Sequence, residues 1–246
     1  MKKGFFALYE LFIWLPINVA LTGLTSLVTI VGCSLGGERY FSYYPSKYWS
    51  RIVCWITFCP VKVFGREHLD KKQSYIFVAN HQSAFDIWLI FAYLGVPIRW
   101  MMKKSLRKMF FVGKACESAG YIFVDTASPK TIEKTMRNAK EKLQNGNSVV
   151  IFPEGSRTPD GTMQKFKKGA FQMAIDLQLP IVPLTINGAY RVMSKNTVRI
   201  QPHPMTLTIH PPIPPQPIDK NDRREVVNRL QTLSEQSRKA IASALV

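Results

Sequence analysis

A histidine stands five residues before an aspartate in Asn80-His81-Gln82-Ser83-Ala84-Phe85-Asp86, at the end of an apolar run. On one continuous helix, residues five apart do not face each other, but across a turn they can. A carboxylate bound to one imidazole nitrogen fixes the tautomer and leaves the other nitrogen free as a base. That is a base with its orienting group and no nucleophile of its own, so a substrate hydroxyl would be the nucleophile. A second stretch, Phe152-Pro153-Glu154-Gly155-Ser156-Arg157-Thr158, closes another apolar run further on. Pro153 and Gly155 force a turn there. Arg157 carries a fixed charge on a fork of donors suited to phosphate. Glu154, an acid beside such a site, must be paired, and its expected role is to orient Arg157 or a backbone amide. Together the two stretches read as a site that activates a hydroxyl on a phosphorylated substrate. Each also has a plainer reading. Ser83-x-x-Asp86 resembles a capping box, in which Asp86 bonds only backbone, and Glu154 and Arg157 can form an ordinary surface pair.

The flanking elements would position both stretches. Residues 74–79 are β-prone and end at Asn80, whereas 86–94 are apolar and helix-like, closed by Gly95 and Pro97. His81 is therefore expected in a strand-to-helix turn and Asp86 in the first helical turn, with Ser83 as candidate N-cap. Residues 148–152 form a short strand that leads into the second stretch. A helix beginning at Ser128-Pro129 has Ile132, Met136, Ala139 and Leu143 at helical spacing. Another covers 167–178, with Phe171, Ala174, Ile175 and Leu177 as its buried face. Residues 181–186 read as a buried strand in which Pro183 implies an edge position or an irregularity. Residues 205–210 form a further strand. The proline-rich stretch 211–217 is an extended connector, and 221–244 a final helix with Val226, Leu230, Leu233 and Ile241 on one stripe. This alternation predicts an α/β sandwich with a largely parallel or mixed sheet and helices on both faces. His68, His203 and His210 lack an aspartate at the matching spacing and are expected to be structural or exposed.

At this point the chain resembles the glycerolipid acyltransferases, and more narrowly the 1-acyl-glycerol-3-phosphate (lysophosphatidic acid) acyltransferases. Asn80-His81-x-x-x-x-Asp86 and Phe152 to Arg157 are similar to the family's first and third signature blocks. Gly120-Tyr121-Ile122-Phe123-Val124-Asp125 resembles the second, and Leu179-Pro180-Ile181-Val182-Pro183-Leu184 the fourth. Lys103-Lys104-Ser105-Leu106, ahead of Phe110-Phe111-Val112-Gly113, matches a basic stretch. The likeness runs from about Val61 to His210. It implies direct acyl transfer from acyl-CoA or acyl carrier protein to the sn-2 hydroxyl of lysophosphatidic acid, with no bound cofactor or metal. It implies His81 and Asp86 as catalytic residues. It also implies substrate contacts from Lys103, Lys104, Glu154, Gly155, Ser156 and Arg157, with backbone oxyanion donors at Gly155 and Ser156. One departure stands out: the family's second block often continues Asp-Arg, whereas Asp125 is followed here by Thr126. Either Lys103, Lys104 and Arg157 carry the phosphate, or the acceptor differs from lysophosphatidic acid.

Composition bears on partners. Thirty-three Lys and Arg against sixteen Asp and Glu give a net charge of +17, a balance that seeks anions: nucleic acid, anionic lipid or phosphorylated substrates. No zinc spacing appears and the charges are scattered along the chain, which argues against nucleic acid. Residues 11–37 contain no charged side chain, a length that can span a bilayer. A second apolar stretch, 40–64, is rich in Tyr and Trp of the kind found at membrane interfaces. The expected layout is a two-helix membrane anchor at 1–60 and an acyltransferase domain at 61–246, with the domain on the cytoplasmic face. The four cysteines show no metal or redox spacing and are expected as free thiols.

Overall fold

The computed structural model describes residues 3–124 and 147–246, together with Thr131, Thr135, Ala139 and Leu143. Most of the helix expected from Ser128 lies outside the described residues, as do Asp125 and Thr126. Of its expected apolar positions, Ala139 and Leu143 are described, and both are buried.

Among the described residues, seven strands form one sheet in the order β1-β7-β6-β2-β5-β3-β4. They are β1 (Val61–Phe64), β2 (Ile76–Ala79), β3 (Ile98–Lys103), β4 (Ile122–Val124), β5 (Ser148–Ile151), β6 (Ile181–Asn187) and β7 (Met205–Ile209). Neighbouring strands run parallel except β6 and β7, so the sheet is mixed. All residues of β2 and β5 are buried, as expected for central parallel strands covered on both faces. Because β2 is parallel to β5 and β6, and β5 to β3, the carboxyl ends of these four strands share one edge. Open α/β sheets bind ligands at that edge.

Pro183 lies in a central strand, so the edge alternative fails and the irregularity is what the structure contains. The antiparallel ladder stops beside it: Leu184 pairs Ile209, and pairing resumes only at the isolated Ile181–Ile213 bridge. The missing N–H falls in that gap, and the Pro183 carbonyl still accepts from the His210 amide at 3.0 Å.

Helices cover both faces. One layer holds α4 (Tyr44–Ile56) and α5 (Phe85–Tyr93). The other holds α7 (Gly169–Leu177) and α9 (Arg223–Ser243), with Leu230, Leu233 and Ile241 buried along the latter. Asp222 caps α9 by accepting from the Arg224 and Glu225 amides. Between β6 and β7 lies the single turn α8 (Ala189–Val192). Gly188, just before it, has φ 85°, and a Cβ there would sit 2.2 Å from the Pro204 carbonyl oxygen. Gly188→Ala is expected to destabilise the domain by more than about 1 kcal/mol, read as a lowered unfolding midpoint.

The amino-terminal segment is continuous helix: α1 (Lys3–Tyr9), a π-helical turn (Glu10–Trp14) and α2 (Leu15–Ser34). Residues 6–34 are long and apolar enough to cross a membrane. The polarity of α2 is inverted. Asn18, Ser26, Thr29 and Gly32 are buried, while Val19, Leu24, Leu27, Val28 and Val31 face outward. The second expected anchor helix follows. After the short α3 (Glu38–Phe41), α4 packs on α5 and buries Val53, Cys54 and Ile56 in the core shared with Phe85 and Leu89. Its other side exposes Tyr48, Ile52 and Trp55.

Candidate functional site

The turn after β2 is held from several directions. Asn80 is buried, and its side chain bonds both backbone groups of Ile186, donating to the carbonyl and accepting from the amide, each at 2.8 Å. This amide clamp continues the β2–β6 pairing one step beyond the strand. His81 follows, and α5 begins at Phe85, which puts Asp86 in the first helical turn as expected.

His81 Nδ1 lies 2.7 Å from Asp86 Oδ2. The same oxygen accepts from the Gln82 amide at 2.7 Å and the Ser83 amide at 2.8 Å. Asp86 is fully buried in the first turn of α5. The capping-box and base-orienter readings are therefore both true of one oxygen. Ser83 takes the capping bond expected of it: its hydroxyl oxygen accepts from the Phe85 amide at 3.1 Å while its O–H donates to the Met193 carbonyl at 2.6 Å. With Nδ1–H given to the carboxylate, Nε2 is the basic nitrogen. It has no hydrogen-bond partner among the described residues, and the side chain is 15% exposed.

The second stretch meets the first directly. Glu154 is buried; its Oε1 accepts from the His81 amide at 2.8 Å and its Oε2 from the Gln164 amide at 2.9 Å. The Thr158 amide donates to the His81 carbonyl at 2.8 Å. Both backbone groups of His81 are thus held by the turn after β5. The Phe152 ring stacks on the imidazole at 3.8 Å and 9°, and Trp100 of β3 stacks behind Phe152 at 5.4 Å. Burial pushes the Glu154 carboxyl up, and the two amides it accepts pull it back. Of the two expected roles for Glu154, the structure contains the backbone one. Among the described residues no hydrogen bond or ion pair joins it to Arg157.

The remaining expected residues gather at the same sheet edge. Gly155 has φ 78°, which suits glycine, and its N–H closes the turn onto the Phe152 carbonyl at 3.0 Å. That amide is engaged within the turn. Arg157 is half-buried, with no hydrogen-bond or ion-pair partner among the described residues. Lys103 ends β3, and Lys104 opens the 3-10 turn that follows. Three contributions went unread in the sequence: the Phe152 stack, the Thr158 amide and Lys167. The Lys167 side chain lies across Gly155, where a Cβ would come within 2.5 Å of its Nζ. Its only sequence signal was its place at the start of an expected helix. His68 bonds the Ile209 carbonyl and His210 the Thr185 hydroxyl. Neither has a carboxylate partner among the described residues.

The arrangement offers a fixed imidazole base beside a turn carrying cations, at the carboxyl edge of a parallel sheet. Comparison with known proteins agrees with it. The sequence model of the Acyltransferase family matches residues 60–187. A 1-acyl-sn-glycerol-3-phosphate acyltransferase of Limnanthes douglasii is 32% identical over 163 residues, 66% of this chain and 57% of that protein. The human 1-acyl-sn-glycerol-3-phosphate acyltransferase alpha is 30% identical over 172 residues, 70% of this chain and 61% of that one. The chain thus spans less than two thirds of the length of these curated relatives. The crystal structure of the 1-acyl-sn-glycerophosphate (LPA) acyltransferase PlsC from Thermotoga maritima superposes with a TM-score of 0.68 at 25% identity. That match covers 92% of this chain and 97% of that one.

Proposed function

Because the chain belongs to the acyltransferase family, we propose that it moves a fatty acyl group from a thioester donor to the sn-2 hydroxyl of lysophosphatidic acid, giving phosphatidic acid. The observation that carries this reading is the His81–Asp86 pair at 2.7 Å, locked by the turn that bears Arg157. Nε2 takes the proton of the acceptor hydroxyl as its oxygen attacks the thioester carbonyl. Asp86 holds the tautomer and stabilises the imidazolium. The Ser156 amide faces the developing oxyanion. Collapse of the tetrahedral intermediate breaks the C–S bond, and the leaving thiolate takes the proton back from His81. The products are an ester and a free thiol, with no acyl-enzyme between them. Arg157 binds the acceptor phosphate, helped by Lys103, Lys104 and Lys167. The exposed apolar face of α1 and α2 holds the chain at the membrane where acceptor and product dissolve, with the site on the cytoplasmic side. The donor is acyl-CoA or acyl carrier protein.

An acceptor panel tests the reading. Purified protein is given one long-chain acyl-CoA or acyl carrier protein with lysophosphatidic acid or other lysophospholipids, and product mass is recorded. Lysophosphatidic acid is expected to dominate. Thioester consumption independent of any lysophospholipid overturns the reading.

Arg157→Ala is expected to raise the acceptor KM roughly 10- to 100-fold, since a hydrogen bond to a charged group contributes about 1.5–3 kcal/mol. Lys at this position should rescue poorly because it lacks the fork. Lys103→Ala and Lys104→Ala should differ in severity, because adjacent side chains point apart. A change confined to the donor KM would show that Arg157 does not hold the acceptor phosphate.

A further inference from the structure

We infer that the turn from Lys104 to Phe111 is a second membrane-inserting element, which seats Leu106, Met109, Phe110 and Phe111 among the acyl chains of an anionic bilayer. The inference deepens the proposed function by naming how the site is presented to a lipid acceptor.

Exposure comes first. Phe110 is 87% and Phe111 50% exposed, and Leu106 and Met109 are exposed with them. Single exposed apolar residues are ordinary on a soluble surface. Four on one short turn make a contiguous patch, which marks an interaction site. The turn is also a built structure. The Met109 amide donates to the Leu106 carbonyl at 3.1 Å, the Gly113 amide to Met109 at 2.8 Å and the Ala115 amide to Phe111 at 2.9 Å. Gly113 is required for this packing, because a Cβ would lie 2.1 Å from the Arg107 carbonyl oxygen. Phe111 has φ 57°, a conformation that is strained for a non-glycine residue. The two rings meet edge to face at 4.6 Å. The backbone thus holds a strained geometry that turns two aromatic rings outward.

Charge and topology select the partner. Lys103, Lys104, Arg107, Lys108 and Lys114 surround the patch, against the single acid Glu117 in that stretch of sequence. Glu117 pairs with Arg107 and Lys114. Basic residues beside an apolar tip suit an anionic bilayer, whose negative surface potential attracts each of them. The patch is continuous with other lipid-suited surface. It leads into α6 (Val112–Ser118), which packs against α2, the helix whose apolar side faces outward. The turn directly follows β3, so it leaves the sheet at the edge that carries His81 and residues 152–158. Insertion would therefore hold the open imidazole and Arg157 toward the bilayer surface.

The test uses the full-length protein with a benzoylphenylalanine photocrosslinker at position 110, and at position 236 on α9 as control. Each is irradiated with vesicles of phosphatidylglycerol and phosphatidylcholine, and the protein mass is read. A phospholipid adduct at 110 and none at 236 is expected. A covalent dimer at 110 would assign the patch to a second copy of the chain, and an unmodified chain would leave it in water; either overturns the inference. A second arm compares Phe110→Ser, and Phe110→Ser with Leu106→Ser, against wild type. Transfer to an acceptor embedded in the vesicles should fall at least tenfold. Transfer to a short-chain, water-soluble acceptor should stay within about twofold. Equal loss on both acceptors, or on neither, counts against insertion. Absence of transfer by wild type on either acceptor would refute the proposed reaction while the lipid adduct still stood.

Discussion

His81→Ala is expected to lower kcat by two to four powers of ten while leaving the protein folded and membrane-bound. Proton transfer by a positioned side chain contributes about that factor. Among the described residues the imidazole makes one side-chain hydrogen bond, so its loss disturbs little of the fold beyond the Phe152 stack. Asp86→Asn should be nearly as inactive, because an amide in the carboxylate's place can favour the wrong tautomer. The two variants should differ in stability. Asp86 Oδ2 also accepts from the Gln82 and Ser83 amides, and the group is fully buried. A disturbed acceptor for buried N–H groups costs about 1–3 kcal/mol, so Asp86→Asn should unfold measurably earlier than His81→Ala. Single-turnover assays and thermal unfolding on the same preparations separate the effects. Near-wild-type turnover by folded His81→Ala would end the base assignment. Equal unfolding midpoints would mean that Asp86 does not anchor the turn.

Much of this site is legible in the chain because its two halves are local. A histidine between a strand and a helix, and a proline-glycine turn after another strand, declare their positions through residue type and spacing. The capping-box pattern and the base-orienter pattern looked like competing readings of Asp86, yet a carboxylate at a helix start can serve both amides and an imidazole. Other features depend on which strands become neighbours, and a periodic pattern does not encode that. β2 lies beside β5 only through the crossover order of the sheet. The Phe152 stack, the Thr158 amide and the grip of Glu154 on His81 follow from that adjacency. Pro183 announced an irregularity without its location, because an interior strand tolerates proline only where the partner ladder has already ended. The stretch from 40 to 64 divides in a way that its composition does not declare. Aromatic and apolar residues suit a membrane interface and a protein core equally; Val53, Cys54 and Ile56 of α4 are buried, whereas Tyr48 and Trp55 are exposed. The inverted α2 was likewise hidden, since the small and polar residues that interrupt its apolar run are the ones that face the domain.

Glu154→Gln is the second large effect expected, and it separates a positioning role from a substrate-binding one. The substitution keeps the size of the side chain and removes its charge. Wild-type Glu154 accepts from two backbone amides with two oxygens, at 2.8 Å from His81 and 2.9 Å from Gln164. Glutamine has one acceptor oxygen, so one amide would face an NH2 group in a buried site. Leaving that N–H unsatisfied costs about 1–3 kcal/mol, and the turn relieves it by moving. The movement displaces His81, whose carbonyl is held from the other side by the Thr158 amide at 2.8 Å. A shift of about 1 Å at a reacting group can cost roughly 100-fold in rate. The expected result is a fall in kcat of about that size with the acceptor KM within a few-fold of wild type. If Glu154 served mainly to orient Arg157, the same variant would instead raise the acceptor KM as Arg157→Ala does. Chemical shifts of the His81 imidazole provide the independent readout: a displaced ring loses part of its stack on Phe152, now at 3.8 Å. An unchanged kcat with unmoved His81 resonances would show that the Glu154 grip does not position the base.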